Sequence, residues 1–555
     1  MDVFYRCSFR QGLNNHSLFN RSHRPLVRIR NRNTILCQSV EEECDVVVIG
    51  SGIAGLSAAA LLSTYGQEVV VCESHSVIGG AAHSFKRGAY HFESGPSLYS
   101  GLKSTGTKAN PLSLVLQAVG AELEVKEYST WNVYLPEVPQ GFPAKVGPKG
   151  FDELFRVCGT RETLDQWDRL QGIVKPLSKA ATAVPPLAIR LDPGVISTTL
   201  GRYFGDIIGS ITTLGVLTKP FSAVLDSAQV TDRFLIHYLD LLCFLLSGLT
   251  SKGTITAEVA FMLEEWTNEN ATLEFPVGGS QALADALAGA VTRRDGRVYV
   301  SEHVEEILIE NEKAVGVRTR KGKVIRCRKG VVSNASTIDT CSILPDRLNS
   351  ASTWSQQVAE TPLNPSFMHL HIGFDAQGLE DLDMHHLVVN EWDSGVDSQQ
   401  NVVLISIASV ADDSMAPAGK HCLHAYYPAT EPWDIWENLS NKEYEGLKQQ
   451  RSEALWKAVE TVIPDIRSRV DISLVGTPKT HARYLRRHKG SYGAAWRAGK
   501  EQFPFGSTPW KGLYCCGDFT FPGIGLPAAA ASGAIAANSL VPIKKHTELL
   551  DSIGI

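Results

Sequence analysis

The stretch CDVVVIGSGIAGLSAAALLSTYGQEVVVCESHSVIGG, Cys44–Gly80, determines the fold that we expect for this chain. Residues Asp45–Ile49 predict a buried parallel strand, because β-branched residues follow one another without alternation. A G-x-G-x-x-G pattern comes next and overlaps an alanine- and leucine-rich stretch, Ile53–Tyr65, which is typical of a helix. Glu68–Cys72 then predicts a second strand. This order indicates a βαβ unit of the kind that binds a dinucleotide.

The glycines and the acid of this unit suit specific parts of a dinucleotide. Gly50 makes the tight turn after the strand, Gly52 has no Cβ and lets a pyrophosphate approach, and Gly55 lets the helix lie close to the sheet. The N–H groups at the start of the helix face the phosphates. Glu73 ends the second strand, where its carboxylate can accept both hydroxyls of an adenosine ribose. The alternative, a glycine turn without a ligand, does not explain why all these parts occur in this order.

A second glycine-rich region, Leu513–Leu540, lies near the end of the chain. A short strand ends at Gly517-Asp518, a loop rich in glycine and proline covers Phe521–Pro527, and a helix of small residues begins at Pro527. Small residues allow a sheet or a flat ring to approach closely, and the helix N-terminus stabilises negative charge on a reduced ring. Asp518 can hold the ribityl or phosphate part of a long cofactor. FAD is favoured over NAD, because FAD is long enough to extend from the first motif to this one.

Further contacts with the cofactor are expected from segments between these two ends. The pair Gly79-Gly80 follows Glu73 and brings the backbone close to the ligand again. A small sheet is expected over residues 298–319 and 330–335, and its backbone near Val304 can meet the edge of the adenine. The predicted FAD-binding residues are Gly50, Gly52, Ile53, Ala54, Gly55, Glu73, Ser74, Gly80, Ala81, Val304, Gly517, Asp518 and Gly525.

The composition argues against several classes of protein. The formal net charge is -6 and no basic stripe appears, which argues against a nucleic-acid partner. No uncharged apolar run reaches the roughly 18 residues that are needed to span a bilayer. The nearest run, Phe234–Leu249, predicts a buried helix. The 11 cysteines lack zinc spacing and one of them must stay unpaired, which fits a reducing compartment better than a disulfide framework.

Histidines are frequent, but their pattern does not predict a metal site. His83 follows the second glycine pair and can be a ligand, a proton carrier or, as we expect, a packing or hydrogen-bonding residue. His369 and His371 share one face of a predicted strand. No carboxylate or thiolate completes a recognisable ligand set, so we expect these histidines to be hydrogen-bonded within the sheet.

The middle of the chain indicates a second, substrate-binding part. Residues 110–270 predict mostly helices, and within them Gly194–Phe221 is either a segment that dips into a membrane interface or a helical lid. Residues 365–430 alternate like the strands of an antiparallel sheet, and Asn441–Val462 predicts an amphipathic helix. Lys479–Lys489 is basic and forms either a solvated surface or a patch for anionic lipid head groups.

The first 40 residues differ in composition from the rest of the chain. They are rich in arginine, serine and asparagine, contain no lysine and have one acidic residue, Asp2. This composition is typical of a transit peptide and lacks the apolar core of a secretory signal. A disordered tail is the alternative. Composition alone does not separate a plastid from a mitochondrial address.

Taken together, the motifs resemble the prolycopene isomerase-like carotenoid isomerases of plants and cyanobacteria and the related bacterial-type phytoene desaturases, a family of FAD-dependent oxidoreductases. The resemblance extends from about Asp45 to Val541 and is weaker over residues 150–265. The segments that carry it are Gly50–Gly55, Gly79–Ser84, Phe275–Gly279, Val331–Ser336, His385–Val389, Gly476–Gly493 and Gly517–Pro527.

The resemblance implies an α/β protein with a glutathione-reductase-like, FAD-binding Rossmann domain and a discontinuous α+β substrate domain with a helical lid. We therefore expect a transit peptide over residues 1–42 and an FAD-binding domain from residues 43–110, 272–340 and 505–545. A substrate and membrane-docking domain is expected from residues 111–271 and 341–504. The resemblance also implies non-covalent FAD, an apolar tunnel, a polyene substrate such as a carotenoid, peripheral attachment to a membrane, and a location in the chloroplast or another plastid.

Three functions remain open at the level of the sequence. The first is an FAD-dependent carotenoid cis–trans isomerase, and the second is a carotenoid desaturase or a retinoid or polyene saturase. The third is a flavin-free lipid or prenyl carrier on the same fold, against which the intact cofactor motifs argue. No catalytic residue is predicted, since Glu258, Glu264 and Glu265 are equally well explained as carboxylates on a helix surface.

Overall fold

The computed structural model describes residues 41–349, 352–501 and 503–555, which form a mixed α/β protein. The predicted transit peptide, residues 1–42, lies outside the described residues apart from Glu41 and Glu42, which begin the first strand.

The elements of the described residues are numbered in chain order. The strands are β1 (Glu41–Ile49), β2 (Val69–Cys72), β3 (Ser84–Arg87), β4 (Tyr90–Glu93), β5 (Tyr99–Ser100), β6 (Val125–Tyr128), β7 (Thr130–Leu135), β8 (Val138–Lys145), β9 (Leu273–Pro276), β10 (Arg297–Tyr299), β11 (Val304–Glu310), β12 (Lys313–Thr319), β13 (Val324–Ser333), β14 (Ser366–Asp375), β15 (His385–Val389), β16 (Val402–Ser406), β17 (Lys420–Glu431), β18 (Val470–Gly476) and β19 (Leu513–Cys515). The helices are α1 (Ile53–Thr64), α2 (Pro111–Val119), α3 (Asp152–Cys158), α4 (Thr163–Ala181), α5 (Gly201–Leu217), α6 (Ser222–Ser227), α7 (Arg233–Ser247), α8 (Thr256–Thr267), α9 (Ser280–Thr292), α10 (Thr337–Ser342), α11 (Asp346–Asn349), α12 (Thr353–Ala359), α13 (Asn441–Val462), α14 (Ile466–Arg469), α15 (Pro478–Leu485), α16 (Leu526–Asn538) and α17 (Ile543–Ser552).

The predicted βαβ unit forms the centre of the first sheet. β1 pairs in parallel with β2 on one side and with β13 on the other, and β10 extends the sheet beyond β2. β19 pairs in parallel with the C-terminal part of β13, whereas β12 and β11 continue the sheet in antiparallel orientation from its N-terminal part. Residues 46–48 and 69–71 are fully buried, which confirms the buried strands that the sequence predicts.

One face of this sheet packs against α1, α2, α9 and α16 in a common apolar core. The small residues of α16 do allow a close approach, but their partner is the helix α1 rather than a sheet. A Cβ atom at Gly533 would collide with the carbonyl oxygen of Ala54, so glycine is required where these two helices meet. The first and the last helix of the cofactor motifs are thereby fixed to each other.

The second sheet has the strand order β18-β14-β17-β16-β15-β7-β8. The antiparallel strands that the sequence predicts over residues 365–430 form its centre. Residues 110–270 are mostly helical, as the sequence predicts, but residues 125–145 hold β6, β7 and β8. In β7 the buried Trp131, Val133 and Leu135 alternate with half-buried residues, which is the period of two that indicates a strand.

Helices of the middle and later chain pack around this second sheet. The apolar residues of α4, α7 and α8 share one core with β7, and α7 is the buried helix that the sequence predicts near residues 234–249. α13 has the predicted bounds and begins with a capping box formed by Ser440 and Glu443. Its buried residues lie in the core formed with β14 and β17.

Within residues 41–349, 352–501 and 503–555, we find no helix that is both long and apolar enough to cross a bilayer. α5 and the turn before it nevertheless expose apolar side chains. Phe204 and Ile211 are 62% and 60% exposed, and Ile196, Leu200 and Ile208 are similarly uncovered. These residues recur at intervals of three or four along the helix, so they form one apolar surface.

Candidate functional site

One cavity of about 1230 Å³ is lined by both glycine-rich ends of the chain. The two ends meet at Asn334, the residue that follows β13. A Cβ atom at Gly52 would lie 2.6 Å from Asn334 Oδ1, and one at Gly517 would lie 2.9 Å from its Nδ2. The amide of Asn334 also donates to the carbonyl oxygen of Cys516. Asn334 therefore joins the turn after β1 to the turn after β19.

The predicted cofactor residues occupy one region of the cavity wall. All of them line the cavity with the exception of Gly55. A Cβ atom at Gly55 would collide with the carbonyl oxygen of Gly50, so Gly55 lies beneath the turn and allows the start of α1 to pack against it. The backbones of Gly52 and Gly79 form a parallel bridge, and a Cβ atom at Gly80 would lie 2.9 Å from the Cα atom of Gly52. The two glycine motifs thus form a continuous floor of bare backbone.

Glu73 is held by the loops on either side of it. One carboxylate oxygen accepts hydrogen bonds from the backbone N–H of Ser51 at 2.8 Å and from its hydroxyl at 2.6 Å. The other oxygen accepts from the N–H of His75 at 2.6 Å and, at 3.3 Å, from the hydroxyl of Ser74. Glu73 lines the cavity and is 7% exposed. The weak contact with Ser74 is the one that a ligand hydroxyl would replace most easily, and ribose binding by Glu73 stays a prediction.

Asp518 also lines the cavity and is ion-paired with Arg487. Arg487 Nη2 donates to both carboxylate oxygens, at 2.8 and 2.6 Å, and both side chains are 19% exposed. Arg487 also donates to the carbonyl oxygens of Ser491 and Tyr492. Residues 479–489 are therefore not simply a solvated surface or a lipid patch, because Arg487 lines the cavity and fixes Asp518. The sequence does not reveal this contact, since 31 positions separate the two residues.

The other region of the cavity is apolar. α7 contributes Leu242, Leu245 and Leu246, and α8 contributes Phe261, Met262 and Trp266. The aromatic rings of Phe367, Tyr426 and Tyr492 complete this wall. Ile207 and Leu214 of α5 also line the cavity, and α5 is the helix that carries the exposed apolar surface.

The histidines that line or adjoin the cavity, His83, His369, His371 and His424, are buried and interact with each other and with the backbone. His369 Nδ1 lies 2.9 Å from His424 Nε2, and the ring of His371 stacks on that of His424. His371 Nε2 hydrogen-bonds to the carbonyl oxygen of Glu93, and His83 Nδ1 to that of Gly80. Burial lowers the pKa of His371 to about 4, so its ring is neutral at neutral pH. The prediction that His83, His369 and His371 are packing or hydrogen-bonding residues is confirmed.

Two of the three carboxylates considered on α8 are not on the protein surface. Glu264 is exposed, but Glu258 and Glu265 line the cavity, so the surface interpretation is wrong for these two. Glu265 accepts hydrogen bonds from Ser100 and Asn110, whereas burial raises the pKa of Glu258 to about 8. Both lie on the apolar face of α8 with Phe261 and Met262, at helical intervals of three and four. That periodicity is the signal by which the sequence could have placed them inside.

The cavity fits an elongated dinucleotide. The N-termini of α1 and α16 both face it, through Ile53 and Ala54 in the one case and Leu526 and Pro527 in the other. The N-terminus of α1 suits phosphates, and the N-terminus of α16 suits a ring that gains negative charge. The bare backbone at Gly52 and Gly80 provides the close approach that a pyrophosphate requires.

Comparison with known proteins agrees with this geometry. The family model of flavin containing amine oxidoreductases matches residues 53–541. The chloroplastic prolycopene isomerase of Arabidopsis thaliana is 28% identical, over 91% of this chain and 84% of that protein. The all-trans-retinol 13,14-reductase of Danio rerio is 25% identical, over 91% of this chain and 87% of that protein. The neurosporene-forming phytoene desaturase of Cereibacter sphaeroides is 23% identical, over 88% of this chain and 93% of that protein.

Solved structures show the same fold. An oxidoreductase from Methanosarcina mazei aligns with a TM-score of 0.56 and 20% identity, over 88% of this chain and 98% of its own. Wild-type putrescine oxidase bound to putrescine aligns with a TM-score of 0.53 and 14% identity, over 92% of this chain and 100% of its own. The resemblance inferred from the motifs is confirmed, and FAD is the cofactor. This chain belongs to the family of flavin containing amine oxidoreductases.

Proposed function

We propose that this protein is an FAD-dependent cis–trans isomerase of long apolar polyenes of the carotenoid class, acting at the surface of a plastid membrane. The observation that carries the proposal is the continuity of the dinucleotide region and the apolar region within one cavity. Its volume of about 1230 Å³ exceeds the roughly 300–1,000 Å³ of an ordinary ligand site, so it has room for a second ligand beside the cofactor.

The walls of the apolar region suit a hydrocarbon chain. Leucine side chains from α7 and aromatic side chains from α8 and the second sheet line it, and a substrate without ionisable groups can be positioned only by such contacts. The names of three relatives contain prolycopene, phytoene and retinol. All three compounds are polyenes, which supports this substrate class. When bound, FAD would polarise the polyene, and this chain supplies the positioning and the exclusion of water.

The glutathione-reductase-like domain arrangement belongs to the same proposal. The strands of the first sheet fall within residues 43–110, 272–340 and 505–545, apart from the first residues of β1. The strands of the second sheet fall within residues 111–271 and 341–504. These are the limits that we assign to the FAD-binding domain and to the substrate domain.

A membrane location is supported by the surface of α5. Its exposed apolar residues lie on the same helix as Ile207 and Leu214, which line the cavity. A carotenoid is dissolved in the bilayer, so an entrance beside an apolar surface would let it pass without crossing water. The chloroplastic relatives and the arginine-rich composition of residues 1–40 support a plastid address.

The test is pigment analysis in cells that accumulate poly-cis carotenes and express the full chain. We expect an isomer of unchanged mass, and the Gly52→Val protein serves as a control that should lack FAD. A product that has lost two hydrogens would instead indicate a desaturase, and one that has gained two would indicate a saturase. A purified protein that is colourless and takes up no added FAD would favour the lipid carrier.

A further inference from the structure

The carboxyl group of Glu258 is the feature of the cavity that the proposed function does not yet use. α8 presents Glu258, Phe261, Met262 and Glu265 to the cavity from one face, at helical spacing. Glu265 is anchored by the hydroxyl of Ser100 at 2.7 Å and by the amide of Asn110 at 3.1 Å. Glu258 has no such partner within the described residues, and its Oε1 atom is buried from solvent.

A carboxyl oxygen that is buried without a hydrogen bond is destabilising, so the position of Glu258 Oε1 needs an explanation. The groups that face Glu258 do not provide a counter-charge. Burial raises the pKa of both Cys243 and Tyr492, so both are neutral at neutral pH. The uncharged ring of Phe503 lies against the same Gly523 that Glu258 approaches. Burial raises the pKa of Glu258 itself to about 8, so the group is a neutral acid with a proton to give.

The position of Glu258 places this acid at the junction of the two regions of the cavity. A Cβ atom at Gly523 would lie 2.8 Å from Glu258 Oε1, so the carboxyl group lies against the loop of residues 521–527. That loop leads into α16, whose N-terminus faces the cavity. The acid therefore lies next to the loop where the cofactor ring is expected and next to the apolar wall where the polyene is expected.

We propose that Glu258 is the general acid and base of the isomerisation, protonating one carbon of the conjugated chain and later removing a proton from that same carbon. This role rests on the proposed function. In the first step the O–H bond of Glu258 breaks and the π electrons of one double bond form a C–H bond, which leaves a carboxylate and a delocalised cation. The former double bond is then single and can rotate.

In the second step the carboxylate of Glu258 takes a proton from the same carbon, and the C–H electrons restore the double bond in the new geometry. Glu258 is again protonated, and no electron has been gained or lost. The aromatic faces of Phe261, Trp266 and Tyr426 line this wall and stabilise a delocalised cation through cation–π attraction. The apolar surroundings exclude water, because water would otherwise add to the cation.

The experiment compares FAD-loaded wild type, Glu258→Gln and Glu264→Gln with a poly-cis carotene in D₂O. Glutamine keeps the shape of Glu258 but cannot transfer the proton, so we expect isomerisation to slow by about 100-fold or more at unchanged FAD content. Glu264 lies on the same helix but is exposed, and Glu264→Gln should isomerise at the wild-type rate. Mass spectrometry should find one deuterium in part of the wild-type product.

An infrared difference spectrum adds a readout that does not depend on turnover. The spectrum of the wild type minus that of Glu258→Gln, at neutral pH, should contain the carbonyl band of a protonated carboxylic acid. The role of Glu258 is overturned if that band is missing, if the wild-type isomer carries no deuterium, or if FAD-loaded Glu258→Gln isomerises within about threefold of the wild type. A wild type that isomerises no poly-cis polyene, with the band present, refutes the proposed function and this role with it.

Discussion

Replacing Glu258 by glutamine should stabilise the folded protein, and the gain should grow as the pH rises. Burial raises the pKa of Glu258 from 4.5 to about 8. Below pH 4.5 the carboxyl group is protonated in both the folded and the unfolded protein, so its titration does not change the free energy of unfolding. Between pH 4.5 and 8 the unfolded chain releases this proton and the folded chain keeps it. The free energy of unfolding of the wild type therefore falls as the pH rises through this window.

The size of the effect follows from the two pKa values. Each pH unit within the window lowers the free energy of unfolding by roughly 1.4 kcal/mol. Integrated from pH 5 to pH 8, the loss is roughly 3–4 kcal/mol, and above pH 8 it levels off because the folded protein also releases the proton. Glutamine has no proton to release, so Glu258→Gln lacks this slope. Among the residues that the structure describes, no cation is found that would compensate the ionised form of Glu258.

The assay is equilibrium urea unfolding of the FAD-loaded proteins at several pH values between 5 and 8, followed by flavin fluorescence. We expect the difference in unfolding free energy between Glu258→Gln and the wild type to increase steadily across this range. Glu264→Gln is the matched control, since an exposed carboxylate on the same helix should show no such trend. A difference that is independent of pH would show that Glu258 is ionised in the folded protein, and the acid role would then fail.

Three further variants test the cofactor region and the surface. Gly52→Val should abolish FAD binding, because even a Cβ atom there lies 2.6 Å from Asn334 Oδ1; visible flavin absorbance of the purified protein measures this. Glu73→Ala should weaken FAD by roughly 1–3 kcal/mol, measured as a dissociation constant, and an unchanged constant would show that Glu73 does not bind the ribose. The double substitution Ile208→Glu and Ile211→Glu replaces exposed apolar surface by charge. It should reduce co-sedimentation of the protein with plastid-lipid vesicles and leave the FAD content unchanged. Undiminished co-sedimentation would exclude α5 as the docking surface.

The βαβ unit was predictable because each of its parts is determined by neighbouring residues in the sequence. Within residues 44–80 the strand, the glycine turn and the helix follow one another, and each constrains the next through backbone geometry alone. The structure then places the ends of β1, β2, β13 and β19 side by side, since the carboxyl ends of parallel strands share one edge of a sheet. Asn334 lies at this edge. It was missed because the pairing of β13 with β1 joins segments nearly 300 positions apart, and local pattern does not reveal that pairing.

The apolar region was less predictable because it depends on which face of each helix turns inward. The carboxylates of α8 were ambiguous, since a helix with acidic residues is usually solvated on their side. Only the spacing of Glu258 with Phe261 and Met262 distinguishes the inner face. β7 was missed because its alternation covers only six residues.

This contrast indicates where the reaction of this protein is determined. We expect the phosphates and the ring of the cofactor to be bound by backbone groups and helix termini, which many relatives with different substrates can share. The polyene would instead be met by side chains of α5, α7 and α8, and these helices lie in residues 150–265 or extend just beyond them, where the resemblance to the carotenoid isomerases is weakest. Glu258 lies in this segment and touches the loop before α16, so it connects the variable wall to the shared cofactor region. A substitution that changes the reaction without changing FAD binding should therefore be found on α8 rather than among the glycines.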